Sequence, residues 1–293
     1  MPLPKMLRRI IQRREDCVAD YAHFLAHESL HGEHPNALRR KRSQKAGQLV
    51  AALDDPAVAI FGLLLCRYHN TAEAFDDFTP LLVRFQQHQN VNLLRRELLH
   101  QYATRGRAFY FTGLGGRKKD GRRGQPKYPP RLQAALGSKA LPLWTCVLQS
   151  LPQWWDASQR AAALLTDPLT TPHLWYEDFM RIFPRLPLHG YGYWPKFLWG
   201  DIGMHLAPKE WNLLQEYTWV GSGPLTQLKQ WGWQFPTQPL ARQRAGMEAV
   251  REVTTTVNEW LAAGAHGLGE ADLEPLTCYD TQVGLCQFKK SKW

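Results

Sequence analysis

Asp54-Asp55-Pro56-Ala57-Val58-Ala59-Ile60-Phe61-Gly62-Leu63-Leu64-Leu65-Cys66 is the stretch whose reading decides the fold class. A carboxylate directly ahead of proline is a helix start. The acid can accept the first-turn N–H groups that have no partner inside the helix, and proline at the first helical position has no N–H to lose. The run Ala57–Cys66 is apolar on every side, which suits a helix buried all round. It is far shorter than the ~20 residues a membrane crossing needs.

Outward from this stretch, helical periodicity continues. Ile10, Val18, Tyr21, Phe24 and Leu25 recur on one face within Leu7–Leu30. The same period predicts helices over Ala72–Gln87, Val91–Tyr102, Leu141–Leu151, Trp154–Leu165, His173–Phe183, Pro195–Leu206, Pro208–Tyr217, Leu225–Trp231 and Leu240–Ala263. The one β-rich run, Ala108–Thr112, is too short to found a sheet. The expected fold class is all-α, one domain of two helical lobes. Residues 1–104 form the N-terminal lobe, 105–135 a basic loop and 136–293 the C-terminal lobe.

The 293 residues carry 36 Lys+Arg against 26 Asp+Glu, a formal charge of +10, which points to a polyanionic partner. Hydrophobic residues at 44% and charged residues at 21% are a globular composition and exclude a disordered tail protein. Five cysteines are scattered without a C-x-x-C pair, and the basic, amphipathic start lacks an apolar leader core. Reduced thiols in a cytoplasm are expected, with no membrane partner.

Two basic segments stand out: Arg39-Arg40-Lys41-Arg42 with Lys45, and Arg117–Lys127 with Arg105 and Arg107 upstream. Within the second, Arg117, Lys118, Arg122 and Arg123 are candidates for DNA phosphate contacts, where each cation would release a condensed counterion. His23, His27 and His31 recur every four residues, with His34 behind. Two histidines four apart could share a metal, but three span about 12 Å of helix, and no H-E-x-x-H order is present. No metal site and no cofactor are expected.

Val220-Gly221-Ser222-Gly223-Pro224 lies between two predicted helices. A hydrophobic-Gly-x-Gly turn there can aim backbone N–H groups at a phosphate, the helix-hairpin-helix grip on the DNA backbone. The alternative is a plain turn that needs glycine for positive φ. Gly221, Ser222, Gly223 and Lys229 are therefore DNA-binding candidates. The last sixteen residues, Cys278–Trp293, mix acid, amide, thiol, ammonium and aromatic groups, and such a segment is expected to dock rather than fray.

The chain resembles the α-glutamyl/putrescinyl thymine pyrophosphorylases, the amino acid:DNA transferases of bacteriophages, over about Leu188–Trp293. The family's hairpin G-x-G-[AP]-x-x-G-L-x-x-L is matched by Gly221-Ser222-Gly223-Pro224-Leu225 with Leu228 and Lys229. Its closing D-x-x-x-x-L-C-E-F-D-K-Y is matched by Asp280, Leu285, Cys286, Phe288 and Lys289-Lys290, with Gln287 and Lys289 in place of the acidic residues. Arg67-Tyr68-His69-Asn70-Thr71 is similar to its early Arg-aromatic-x-Asn stretch, and Trp199-Gly200-Asp201-Ile202 to its Asp-bearing helix.

The resemblance implies a fold like that of helix-hairpin-helix DNA glycosylases and a substrate of phosphorylated 5-hydroxymethyluracil in double-stranded DNA. A small amine or amino acid would displace the phosphate or pyrophosphate, in the cytoplasm of an infected bacterium. On this reading the flipped base would stack on Tyr191, Tyr193 and Trp194. Arg67, Lys289 and Lys290 would stabilise the leaving group, and Asp201 or Asp280 would take the amine proton. Asn70 and Cys286 complete the catalytic candidates, Cys286 more as packing than as a nucleophile. Two rivals stay open: a helix-hairpin-helix glycosylase and a non-catalytic DNA-binding phage protein. Glycosylases carry an Asp downstream of the hairpin, where Gln238–Val253 offers only Glu248 and Glu252.

Overall fold

The computed structural model describes residues 5–30, 44–69, 72–105, 143–186, 194–264 and 274–291, and among them it contains helices and no strand. The chain is all-α. Its helices are α1 (Lys5–Leu30), α2 (44–51), α3 (Pro56–His69), α4 (Ala72–His88), α5 (Val91–Arg105), α6 (Leu143–Thr166), α7 (Pro172–Ile182), α8 (Trp194–His205), α9 (Leu213–Glu216), α10 (Ser222–Gln230), α11 (Pro239–Ala262) and α12 (Cys278–Ser291). No helix among the described residues is long and apolar enough to cross a membrane. Arg39–Arg42, Ala108–Thr112 and Arg117–Lys127 lie outside the described residues.

The helices group into two units, 42–211 and 1–41 with 212–293. This division differs from a cut at 104/105 and 135/136, because α1 belongs with the C-terminal helices. In residues 42–211, α3 is the centre, packed by α4, α6 and α8. Asp55 caps it, accepting from the Ala57 and Val58 amides at 2.7 and 3.4 Å, and Pro56 takes the first helical position. Every later residue of α3 is buried. At Gly62 a Cβ would stand 2.8 Å from Leu82 and 3.3 Å from Leu49, so hydrogen is what lets α2 and α4 approach so closely. Trp155 of α6 packs on Phe61 and Phe85 at 5.6 and 5.0 Å, and Trp154 on Tyr68 at 5.2 Å. Such aromatic pairs add about 0.5–1.5 kcal/mol each beyond their burial.

In the other unit, α12 packs against α1, α9, α10 and α11. Phe288 meets Tyr21 at 5.7 Å, Phe24 at 5.3 Å and Trp231 at 5.7 Å. These rings tie α1 to the C-terminal helices. Asn258 of α11 clamps the backbone of Leu276 at both its N–H (2.7 Å) and C=O (2.9 Å), which fixes the entry into α12.

Three elements differ from the periodicity reading. Leu141–Leu151 and Trp154–Leu165 are one helix, α6. Pro152 removes one backbone donor, but buried Leu151, Trp154 and Trp155 hold the helix on both sides of it. The expected helix Pro208–Tyr217 is instead a 3-10 turn (Lys209–Trp211) followed by the single turn α9, because Asn212 sits in the left-handed region at φ 44°. The docking segment at the C-terminus is itself the helix α12.

Candidate functional site

The sequence candidates fall into two clusters, one in each unit. In residues 42–211, Arg67 from the last turn of α3 meets Asp201 of α8 across a gap of 134 residues in sequence. The guanidinium forms a two-pronged pair: Nε donates to Oδ2, and Nη2 to Oδ1 at 2.6 Å. The side chains are 3% and 1% exposed. The guanidinium carbon lies 5.2 Å from the Phe75 ring centre and 5.4 Å from that of Phe197, and the buried Lys196 ammonium stands 4.9 Å from Phe197. Aromatic faces attract cations, so this is a dry and neutralised ionic centre. Its geometry assigns Asp201 to the Arg67 pair, where the carboxylate holds the guanidinium rather than an incoming amine.

The groups beside it are equally closed. Burial pushes the Cys66 thiol up, and its sulfur lies 3.6 Å from the Ala74 carbonyl oxygen. Burial pushes the His69 imidazole down to about 4, so it is neutral at pH 7. Its Nδ1 is 2.7 Å from the Leu65 carbonyl, which can only accept, so Nδ1 carries the proton. Nε2 then accepts from the Tyr102 hydroxyl at 2.9 Å. Trp199 is core, at 5.7 Å from Tyr176 and 4.9 Å from Phe179.

The second cluster is the hairpin and the helix it faces. Gln243 of α11 holds the hairpin backbone as a β-partner would, accepting from the Val220 N–H at 3.1 Å and donating to its C=O at 2.8 Å. Gly246 lets α11 approach, since a Cβ there would meet Leu225 at 2.7 Å. Gly221 is the N-cap of α10, with φ −72°, ψ 170° and no side-chain cap. Its conformation is open to any residue, and Gly223 has no positive φ either. Backbone strain therefore does not call for glycine at either position, and close approach does so at Gly223. A Cβ on Gly221 would stand 3.6 Å from Gln282 Nε2, and one on Gly223 would stand 3.3 Å from Cys286 Sγ. A Schellman closure ends α10: Gly232, at φ 99°, donates to Lys229 at 3.0 Å, and Trp233 donates to Leu228 at 3.0 Å.

Gln282 is wholly buried, and neither its amide nitrogen nor its amide oxygen has a hydrogen-bond partner among the described residues. The Thr218 hydroxyl in the segment leading to the hairpin is in the same condition. Asp280, by contrast, closes a capping box at the start of α12. Its Oδ2 accepts from the Thr277 N–H at 3.1 Å and hydroxyl at 2.7 Å, while Thr277 Oγ1 accepts from the Asp280 N–H at 3.0 Å. That carboxylate caps α12.

The structure thus brings Arg67 together with Asp201, Gly221 with Gln282, and Gly223 with Cys286. Cys286 is buried, while Ser222, Lys229 and Lys289 are exposed. Asn70, Tyr191, Tyr193, Arg117, Lys118, Arg122 and Arg123 lie outside the described residues, as do the side chains of Trp194 and Lys290. His23 and His27 are exposed on α1, and His31 lies outside the described residues. Among the described residues no group of three or more His, Cys, Asp or Glu side chains is placed to hold a metal ion. Gln282 was missed as a site residue, although it lies four residues before Cys286, on the same helical face.

No family model, curated protein or solved structure matches the chain.

Proposed function

We propose that the chain is a DNA-modifying transferase that replaces the phosphate or pyrophosphate of phosphorylated 5-hydroxymethyluracil in double-stranded DNA with an amine or amino acid. The observation that carries this reading is the Gly221-Ser222-Gly223 turn held against α12. It opens an uncapped helix N-terminus beside a buried thiol and a buried amide. A turn of this kind suits a phosphate, because the first N–H groups of α10 have no partner within their own helix. A formal charge of +10 suits a polyanionic substrate.

On this reading the helical fold belongs with the helix-hairpin-helix glycosylases, and the hairpin grips the DNA backbone. The amine nitrogen attacks the 5-methylene carbon as the carbon–oxygen bond to the phosphate breaks. The free-base fraction of the amine is what attacks, and the proton its nitrogen then sheds passes to the departing phosphate, so the step balances without a protein carboxylate. That accords with Asp201 paired to Arg67 and Asp280 closing a cap. Leaving-group stabilisation then falls to exposed Lys289 with Lys290, and to the basic segment 117–127, rather than to the buried Arg67.

The test is phosphate or pyrophosphate release from a duplex bearing phosphorylated 5-hydroxymethyluracil, with and without a mixture of amines. Amine-dependent release supports the proposal. Abasic sites in the DNA would assign the chain to the glycosylases, and tight binding without turnover would leave it a binding protein.

A further inference from the structure

We propose that Gln282 is the side-chain arm of a phosphate-binding site whose other donors are the first-turn N–H groups of α10. Two independent features meet there. The first is the N-terminus of a nine-residue helix, Ser222–Gln230, capped by glycine without a side-chain hydrogen bond. The second is the Gln282 amide, 0% exposed and without a hydrogen-bond partner among the described residues, its nitrogen 3.6 Å from the point a Gly221 Cβ would occupy. An orphaned buried amide is costly, and native proteins keep few of them. A ligand acceptor at the turn would serve the orphaned NH₂ of Gln282 and the uncapped helix N-terminus together.

The donors specify that ligand. Ser222 and Gly223 supply backbone N–H groups, Pro224 supplies none, and Gln282 supplies an NH₂. A site made mainly of N–H donors and lit by the positive end of a helix suits an oxyanion. Ser222 is exposed and Gly221 half-buried, so the turn is open to solvent on its outer side. With hydrogen in place of a side chain, Gly221 puts no carbon between the buried amide and the turn. This inference rests on the proposed function only in taking duplex DNA as one source of the phosphate; free phosphate or pyrophosphate released from the base is the other.

The geometry supplies a clean variant. At 3.6 Å an added methyl makes ordinary van der Waals contact, and φ −72° with ψ 170° suits alanine. Gly221→Ala should therefore fold as wild type while placing a methyl between the amide and the turn. Gln282→Met removes the orphaned amide at nearly constant volume. It should raise the ligand-free Tm by about 2–4 °C, because an unsatisfied buried group is deleted.

Thermal shift and titration calorimetry on the full chain test this in three arms: sodium phosphate, sodium pyrophosphate and an unmodified duplex. Both variants should weaken the response about tenfold to a hundredfold in at least one arm, the loss of a hydrogen bond to a charged group. Loss in the duplex arm alone identifies the backbone diester, and loss in the two free-anion arms identifies the leaving group. Either outcome supports the site. Gly221→Ala with wild-type Tm and undiminished responses in all three arms overturns it, whatever Gln282→Met does. A wild-type chain that responds to the free anions but not to DNA keeps this site and sinks the DNA reading.

Discussion

Asp201→Asn separates a structural role from a catalytic one. The carboxylate is 1% exposed and both its oxygens accept from Arg67, which is itself 3% exposed. Two unit charges about 4 Å apart interact by about 4 kcal/mol at an effective dielectric of 20. Removing one member takes away the other's two-pronged partner in the core, and measured losses of this kind are about 3–5 kcal/mol. Phe75 and Phe197 face the guanidinium in either case and offset part of this. Urea unfolding followed by circular dichroism should therefore place Asp201→Asn about 3–5 kcal/mol below wild type. Arg67→Met should lose a similar amount at pH 7 and less at pH 5. Without the guanidinium, the buried Asp201 carboxylate binds a proton more tightly folded than unfolded, so stability rises as pH falls. Replacing both residues, Arg67→Met with Asp201→Leu, should cost less than the sum of the two single changes, since neither charge is then left without the other. Single variants within about 1 kcal/mol of wild type would refute the reasoning and return Asp201 to the list of catalytic groups.

Asp280→Ala should cost about 0.5–2 kcal/mol in the same assay through loss of the capping box, whereas Asp280→Asn, still an acceptor, should cost less. Gly284→Ala should be severely destabilising, since its Cβ would fall 2.1 Å from the Tyr21 hydroxyl, which donates to the Thr281 carbonyl at 3.3 Å. Adding Tyr21→Phe should recover part of that loss, a coupling read by a double-mutant cycle. His69 gives a pH signature. Its folded-state value of about 4 lies below the ordinary imidazole value of about 6.5, so the unfolded chain binds the extra proton, and stability present above pH 6.5 is lost as pH falls toward 4. In His69→Asn that component, at most a few kcal/mol, should vanish from the pH dependence of urea unfolding. Neutralising Arg117, Lys118, Arg122 and Arg123 together should flatten the slope of log K against log salt for duplex binding, by up to about 0.9 per lost phosphate contact. An unchanged slope removes that segment from the interface.

What was legible in the sequence follows from what each element is packed against. The helix α3 could be read outright, because an Asp-Pro start and an unbroken apolar run have one physical solution. The helix α12 could not, because its buried face carries Thr281, Gln282, Gly284 and Cys286 among its apolar residues and blurs the period. Its cap was visible as Thr277-x-x-Asp280, yet the same aspartate also fitted a catalytic role, and only the hydrogen bonds distinguish the two. Arg67 and Asp201 were both recognisable as unusual charges. That they neutralise one another was not, since 134 residues separate them and pairing at that range is a property of the fold. Positive φ was one expectation for the hairpin glycines; the observation is close approach of Gly223 to Cys286, while Gly221 has room for a methyl.

The central claim is the transfer reaction, and mass spectrometry of digested nucleosides tests it most directly. A duplex carrying phosphorylated 5-hydroxymethyluracil is incubated with the chain and a mixture of glycine, serine, glutamate and putrescine, then hydrolysed. The account predicts a new thymidine derivative in which one of these amines is joined through nitrogen to the 5-methylene carbon, formed in step with phosphate or pyrophosphate. Recovery of the phosphorylated nucleoside unchanged, at protein concentrations that saturate the duplex, would contradict it.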